Sequence, residues 1–207
     1  MARLNSVADL RRIIAEPRTA TRSKILEALD EQSIEFLKRC PFALIGTTTE
    51  DGTIEVSPKG DEPGFIRVED PKTLLIPERV GNNLAFGLSN IIATGKIGLL
   101  ALVPATGETL RLSGTAEVFD DPELVQSLSS LGKPALLATR VHIKHCYFHC
   151  ARSVLRANLW KPEAWPAPGR ISFGKIIAPR VDAGQDFADK IDASVAGSYK
   201  DRLWSNP

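Results

Sequence analysis

Between residues 57 and 83 the chain gathers Ser57-Pro58-Lys59-Gly60-Asp61, Gly64-Phe65 and Leu75-Ile76-Pro77-Glu78-Arg79-Val80-Gly81-Asn82-Asn83. Residues of these types suit a cradle for a phosphate and a flat heterocycle. Lys59 and Arg79 carry the charge that a phosphate ester needs, and Asn82 and Asn83 carry short amides. The glycines let the backbone approach a ligand, because they lack the Cβ that would hold it off. Apolar strand residues such as Ile76 and Pro77 are placed to wall a ring, and Ser57 is a further cofactor-binding candidate beside Lys59. The same composition also suits a pair of turns with solvated cations.

A second group, His142, His145, Cys146, His149 and Cys150, holds the imidazoles and thiols that zinc prefers. On a strand, His142 and Cys146 share one face, and His145 and His149 share the other. Partners four residues apart then stand ~13 Å from each other, far beyond the reach of one ion. No metal site is expected. Cys150, beside Arg152 and a helix start, has the setting of an activated thiol. His149 is placed to face a ligand at the end of its strand.

Arg111 lies in Leu110–Val118, where alternation puts Arg111, Ser113, Thr115 and Glu117 on one face and Leu110, Leu112, Ala116 and Val118 on the other. The polar face is either solvated or turned to a ligand. Arg152, Arg156 and Trp160 follow a four-residue spacing that lays two guanidiniums and an indole along one helix side. Surface cations snorkelling over an aromatic ring give the same pattern. No spacing marks a hydrolase triad, whose members meet only in three dimensions.

The elements that must position these residues change character near residue 41. Before it, Ser6 with Asp9 opens a helix that Pro17 ends, and Ile25, Leu26, Leu29, Ile34, Phe36 and Leu37 form an apolar stripe. Beyond it, strands are predicted over Phe42–Thr48, Thr53–Val56, Phe65–Val68, Thr73–Ile76, Lys96–Val103, Glu108–Phe119 and Leu136–Phe148. Helices are predicted over Asn82–Thr94 and Pro122–Leu131, with a helical turn at Ala151–Asn158. Strands joined by short turns, without a strand-helix rhythm, point to a closed or split antiparallel barrel, mainly β (α+β) in class. The expected organisation is one domain over residues 1–207: a helical extension to residue 40, a barrel core over 41–160, and a C-terminal extension over 161–207. In that extension a weak strand at Ile171–Ile177 precedes a polar tail from Asp182, loosely held or packed on a partner subunit.

The 207 residues have a net charge of +1 with 25% charged and 43% hydrophobic residues, which suits a globular protein and no nucleic-acid partner. Three cysteines lack framework spacing, the first residues lack an apolar leader, and no apolar run nears the ~20 residues of a membrane span. A cytoplasmic protein without membrane contact is expected.

On Ser57-Pro58-Lys59-Gly60-Asp61 and Ile76-Pro77-Glu78-Arg79-Val80-Gly81-Asn82-Asn83 the chain resembles the pyridoxamine 5'-phosphate oxidase-related flavoproteins, over about residues 33 to 160. The resemblance implies an FMN-binding split β-barrel of antiparallel Greek-key type with N-terminal and peripheral helices. It also implies FMN as cofactor and a homodimer with cofactor sites at the subunit interface. Lys59 matches a lysine that meets the flavin in those oxidases. Where they carry an Arg-Lys pair on the phosphate, this chain has Asn82-Asn83, so Arg79 is expected to supply the charge. Leu110–Val118 is similar to their Val-Arg-Val-x-Gly strand, which brings Arg111 toward the cofactor. Tyr147-Phe148-His149-Cys150, Arg152 to Arg156 and Leu159-Trp160 match a recurring segment of less characterised relatives, making His149, Arg152 and Trp160 candidates for the face over the ring. The Arg-x-His motif that grips the vitamin B6 substrate is absent between Gly169 and Pro207, and vitamin B6 oxidation is not carried over. The implied function is an FMN-dependent oxidoreductase with an unknown small-molecule substrate. The alternative is a flavin, haem or deazaflavin carrier or sensor.

Overall fold

The computed structural model describes residues 3–204. Seven strands, β1 (Phe42–Thr48), β2 (Ile54–Gly60), β3 (Arg67–Asp70), β4 (Thr73–Glu78), β5 (Lys96–Leu102), β6 (Thr109–Phe119) and β7 (Leu137–His149), form one sheet in the order β2-β1-β5-β6-β7-β4-β3. Every pairing is antiparallel. β5, β6 and β7 are neighbours, and β4, which precedes them in the chain, lies beside β7, a Greek-key arrangement. The sheet is not closed. β3 pairs only with Thr73–Leu75, so Ile76–Glu78 of β4 have no strand on that side. β2 is the opposite edge. Pro58 on β2 and Pro77 on β4 offer no N–H across the gap, as suits residues at strand edges.

One core fills the rolled sheet, with Ala43, Ile45, Leu74, Ile76, Leu99, Leu110, Leu112 and Val141 buried in it. The alternation predicted for β6 holds, with Leu110, Leu112 and Ala116 buried and Arg111, Thr115 and Glu117 exposed. On β7 it fails at one point. The β6–β7 register shifts between Ser113 and Gly114, leaving Lys144 unpaired as a bulge. The extra residue switches faces, so Cys146 is buried while His142, His145 and His149 are exposed. His142 and Cys146 therefore do not share a face. Gly114 makes the bulge possible, because a Cβ there would meet the His142 carbonyl oxygen at 1.9 Å.

Eight α-helices surround the sheet in the described residues: α1 (Val7–Arg11), α2 (Thr19–Arg22), α3 (Glu31–Lys38), α4 (Phe86–Thr94), α5 (Pro122–Ser127), α6 (Arg152–Arg156), α7 (Phe173–Ile177) and α8 (Gln185–Asp201). Ser6 caps α1 through the Asp9 amide, as its spacing predicts. Asp30 caps α3, which inserts Phe36 and Leu37 into the core, with Phe36 edge-on to Phe148 at 5.3 Å.

The C-terminal extension departs from expectation. The segment read as a weak strand is α7, because the Ser172 hydroxyl accepts the Lys175 amide and starts a helix instead. The tail from Asp182 is not loose over its described length, since α8 packs on α7, with its Ala188 oxygen 2.0 Å from where a Gly174 side chain would begin. Residues 205–207 of that tail lie outside the described residues. No described helix is long and apolar enough to cross a membrane.

Candidate functional site

β2 runs on through Gly60, so Ser57 and Lys59 stand on a strand and not in a turn, as Thr53–Val56 alone had implied. Each of these residues pairs with β1, Ser57 with Ile45 and Lys59 with Ala43. Across the gap, Ile76 and Pro77 pair with Thr139 and Ala138 of β7. The opening between the two edges is a cleft of about 750 Å³, and Ser57, Lys59, Ile76, Pro77, Arg79, Asn82 and Asn83 all line it. That size lies in the range of cofactor sites.

The expected helix from Asn82 begins only at Phe86. The Asn82 side-chain oxygen accepts the Leu84 amide at 3.1 Å, a local turn that competes with helix, and Asn83 and Ala85 take left-handed φ of 61° and 51°. Ala85 has no side-chain amide to favour that conformation, so the loop is strained where it borders the cleft. No side chain caps α4, and its first residues, Phe86, Gly87 and Leu88, line the cleft. Their amides are donors without helical partners and favour negative charge.

Both cations of the cleft are paired. The Lys59 ammonium meets the Glu78 carboxylate across the split, with side chains 23% and 18% exposed. The Arg79 Nε donates to Asp61 Oδ2 at 2.6 Å and its Nη2 to the Leu128 carbonyl at 2.7 Å. The third nitrogen, Nη1, is buried without a partner among the described residues. Asp61 is the centre of this group, its side chain 1% exposed. Burial pushes its carboxyl up, but hydrogen bonds from Ser130, Arg79, the Glu62 amide and Trp204 outweigh that and hold it below the usual carboxylate range.

Arg111, His149, Arg152 and Trp160 do not line the cleft. Arg111 donates to the Tyr147 hydroxyl at 3.1 Å on the outer face of β6 and β7. His149 lies at the end of β7, its ring 6.5 Å from Tyr147. α6 ends at Arg156, which breaks the four-residue spacing before Trp160, whose Nε1 donates to the Thr106 carbonyl at 2.7 Å. Sequence reasoning missed the carboxylates Glu78 and Asp61 as partners of the two cations, along with Ser130, Leu203 and Trp204. The first two lay inside the stretch it singled out. The last three sit 69, 142 and 143 residues or so from Asp61 along the chain, a separation no local spacing reveals.

The family model described as "Pyridoxamine 5'-phosphate oxidase" matches residues 29–150. No curated protein sequence matches the chain. Among solved structures it is similar to HupZ of Group A Streptococcus, 17% identical, over 58% of this chain and 93% of that one, with a TM-score of 0.46. It is similar to a Clostridium acetobutylicum protein related to general stress protein 26, of the pyridoxinephosphate oxidase family, at 16% identity over 59% and 91% of the two chains, TM-score 0.45. An F420 reductase is similar at 16% identity over 58% and 98%, TM-score 0.40.

Proposed function

The chain belongs to the pyridoxamine 5'-phosphate oxidase family, and on that premise we propose that it binds FMN and moves electrons or a hydride between the flavin and a small molecule. The observation that carries this reading is the cleft in the split between β2 and β4. All of its lining but Leu203 falls within the matched region, and it brings Lys59, Arg79 and the α4 N-terminus to one opening.

The residues present fit a flavin phosphate. Among the described residues, Arg79 Nη1 is a buried donor with no partner and no side chain caps the α4 amides. These groups, with Asn82 and Asn83, would hold the phosphate in place of an Arg-Lys pair. Ser57, Ile76 and Pro77 would wall the ring. The flavin, when bound, supplies the redox chemistry. Lys59 and Arg79 supply positive charge, which favours the negative charge that reduction deposits.

A homodimer is part of this reading. Arg111, His149, Arg152 and Trp160 stand outside the cleft of their own chain and are available to a second copy. Ile54 and Val56 on edge strand β2 and Ile92 on the neighbouring α4 are 69%, 60% and 75% exposed, an apolar surface suited to burial between subunits.

The experiment is an absorption spectrum and FMN titration of the purified protein, repeated with Lys59→Ala and Arg79→Ala. Flavin bands that weaken in both variants are expected. A protein that takes up no flavin, or variants with unchanged affinity, would refute the assignment. A second reading, a flavin carrier without turnover, is favoured by one observation: among the described residues, no histidine, cysteine or tyrosine lines the cleft. NADH and NADPH oxidation assays on the flavin-loaded protein separate the two.

A further inference from the structure

The family match ends at residue 150, yet the chain returns to the cleft far beyond it. Leu203 lines the cleft, and the Trp204 indole donates to Asp61 Oδ1 at 3.2 Å. That carboxylate also receives Arg79 on its other oxygen. Among the described residues, the Trp204 bond is the side-chain hydrogen bond that joins residues 161–204 to the barrel. The segment before it is built to deliver Trp204 to a fixed place. Asp192 of α8 accepts from the Ser172 hydroxyl at 2.5 Å and from the Gly174 amide at 2.9 Å, which locks α8 onto the start of α7. The Gly174–Ala188 contact admits no other residue at 174. A preformed α7–α8 hairpin pays little ordering entropy when its end docks. Leu203 remains 51% exposed, an apolar side chain on the lining of the cleft with half its surface free.

We propose that residues 203–204 form a wall of the flavin cleft, in which Trp204 is a positioning residue that holds Arg79 through Asp61 and Leu203 shields the bound cofactor from solvent. This rests on the reading of the cleft as a flavin site. The arm lies outside residues 29–150 and would retain the cofactor and restrict what reaches it.

Two measurements on the full chain test it. In the first, phenylglyoxal modifies arginines of the flavin-free protein, and the rate at Arg79 is followed by peptide mass. Trp204→Phe keeps an aromatic ring and removes the N–H. Faster modification of Arg79 in this variant, by about fivefold, with an unchanged melting temperature is expected, and an unchanged rate overturns the positioning role. In the second, FMN dissociation and iodide quenching of its fluorescence are compared between wild type and Leu203→Ser. Dissociation about fivefold faster, which corresponds to roughly 1 kcal/mol, with stronger quenching is expected. Unchanged values overturn the shielding role. If wild type binds no FMN, the flavin reading fails, while the phenylglyoxal rates still decide the Trp204–Asp61–Arg79 link.

Discussion

Lys59 and Glu78 form an ion pair across the split of the barrel, joining β2 and β4, which stand first and sixth in the sheet order. Hydrogen-bonded strands do not close this barrel; side-chain charge does. Asp61 and Arg79 make a second tie beside the first. Each signature segment therefore gives one residue of either sign, Lys59 with Asp61 from the first and Arg79 with Glu78 from the second. The cleft is the gap that these ties hold at a set width.

The first tie competes with an anionic ligand. Glu78 neutralises the charge that a phosphorylated flavin would seek, and like charges brought together oppose binding. Glu78→Gln is expected to tighten FMN binding about fivefold, or roughly 1 kcal/mol, while Lys59→Ala weakens it by tenfold or more. Fluorescence titration reads both.

The second tie is structural. Asp61→Asn leaves the Arg79 guanidinium buried without its counter-charge, which costs about 3 kcal/mol or more. Adding Arg79→Met to that variant removes the stranded charge and is expected to restore part of the loss. Urea denaturation of the two variants and of wild type measures the coupling.

Asp61 also sets an acid limit. Its carboxyl is held below the usual range in the folded state, so its stabilisation is fully present above the ordinary carboxylate value of about 4. It is lost as pH falls through the lower folded value. The stability gap between wild type and Asp61→Asn is expected to be constant from pH 5 to 8 and to shrink on further acidification. Denaturation midpoints between pH 2 and 8 provide the check.

How far the sequence exposed this design depends on the range of each signal. Period-two alternation marked β6 correctly, and of the run from Leu75 to Asn83 every residue after Leu75 lines the cleft, because both are local patterns. The face of His142 was misplaced because a bulge depends on the partner strand, and nothing on β7 itself announces it. The helix start was placed at Asn82, four residues early, because asparagine caps helices as readily as it makes turns. The C-terminal arm was illegible for a different reason. Its weak apolar pattern over Ile171–Ile177 suits strand or helix, and the Ser172 cap together with the docking of Gly174 on Ala188 decides between them.

Gly114 tests the bulge directly. Alanine there would place Cβ 1.9 Å from the His142 oxygen, and backbone cannot yield as a flexible side chain would. Gly114→Ala is expected to cost about 3 kcal/mol or more, or to abolish folding, whereas Gly81→Ala, with open space around it, costs little. Thermal melts compare the two.

The proposed dimer makes a prediction that a monomeric site cannot. Lys59 lines the cleft and Arg111 stands on the outer face of β6 and β7 of the same chain. If each flavin meets Lys59 from one copy and Arg111 from the other, every site of a Lys59→Ala dimer lacks the lysine and every site of an Arg111→Ala dimer lacks the arginine. When the two variants are unfolded, mixed equally and refolded, half the dimers are hybrids, and each hybrid holds one doubly damaged site and one intact site. About one site in four is then expected to regain wild-type FMN affinity, from random pairing across a two-fold interface. Titration of the refolded mixture counts those sites. If both residues instead serve one chain's cleft, no mixing restores any of them, and Arg111 then has no part in a shared site.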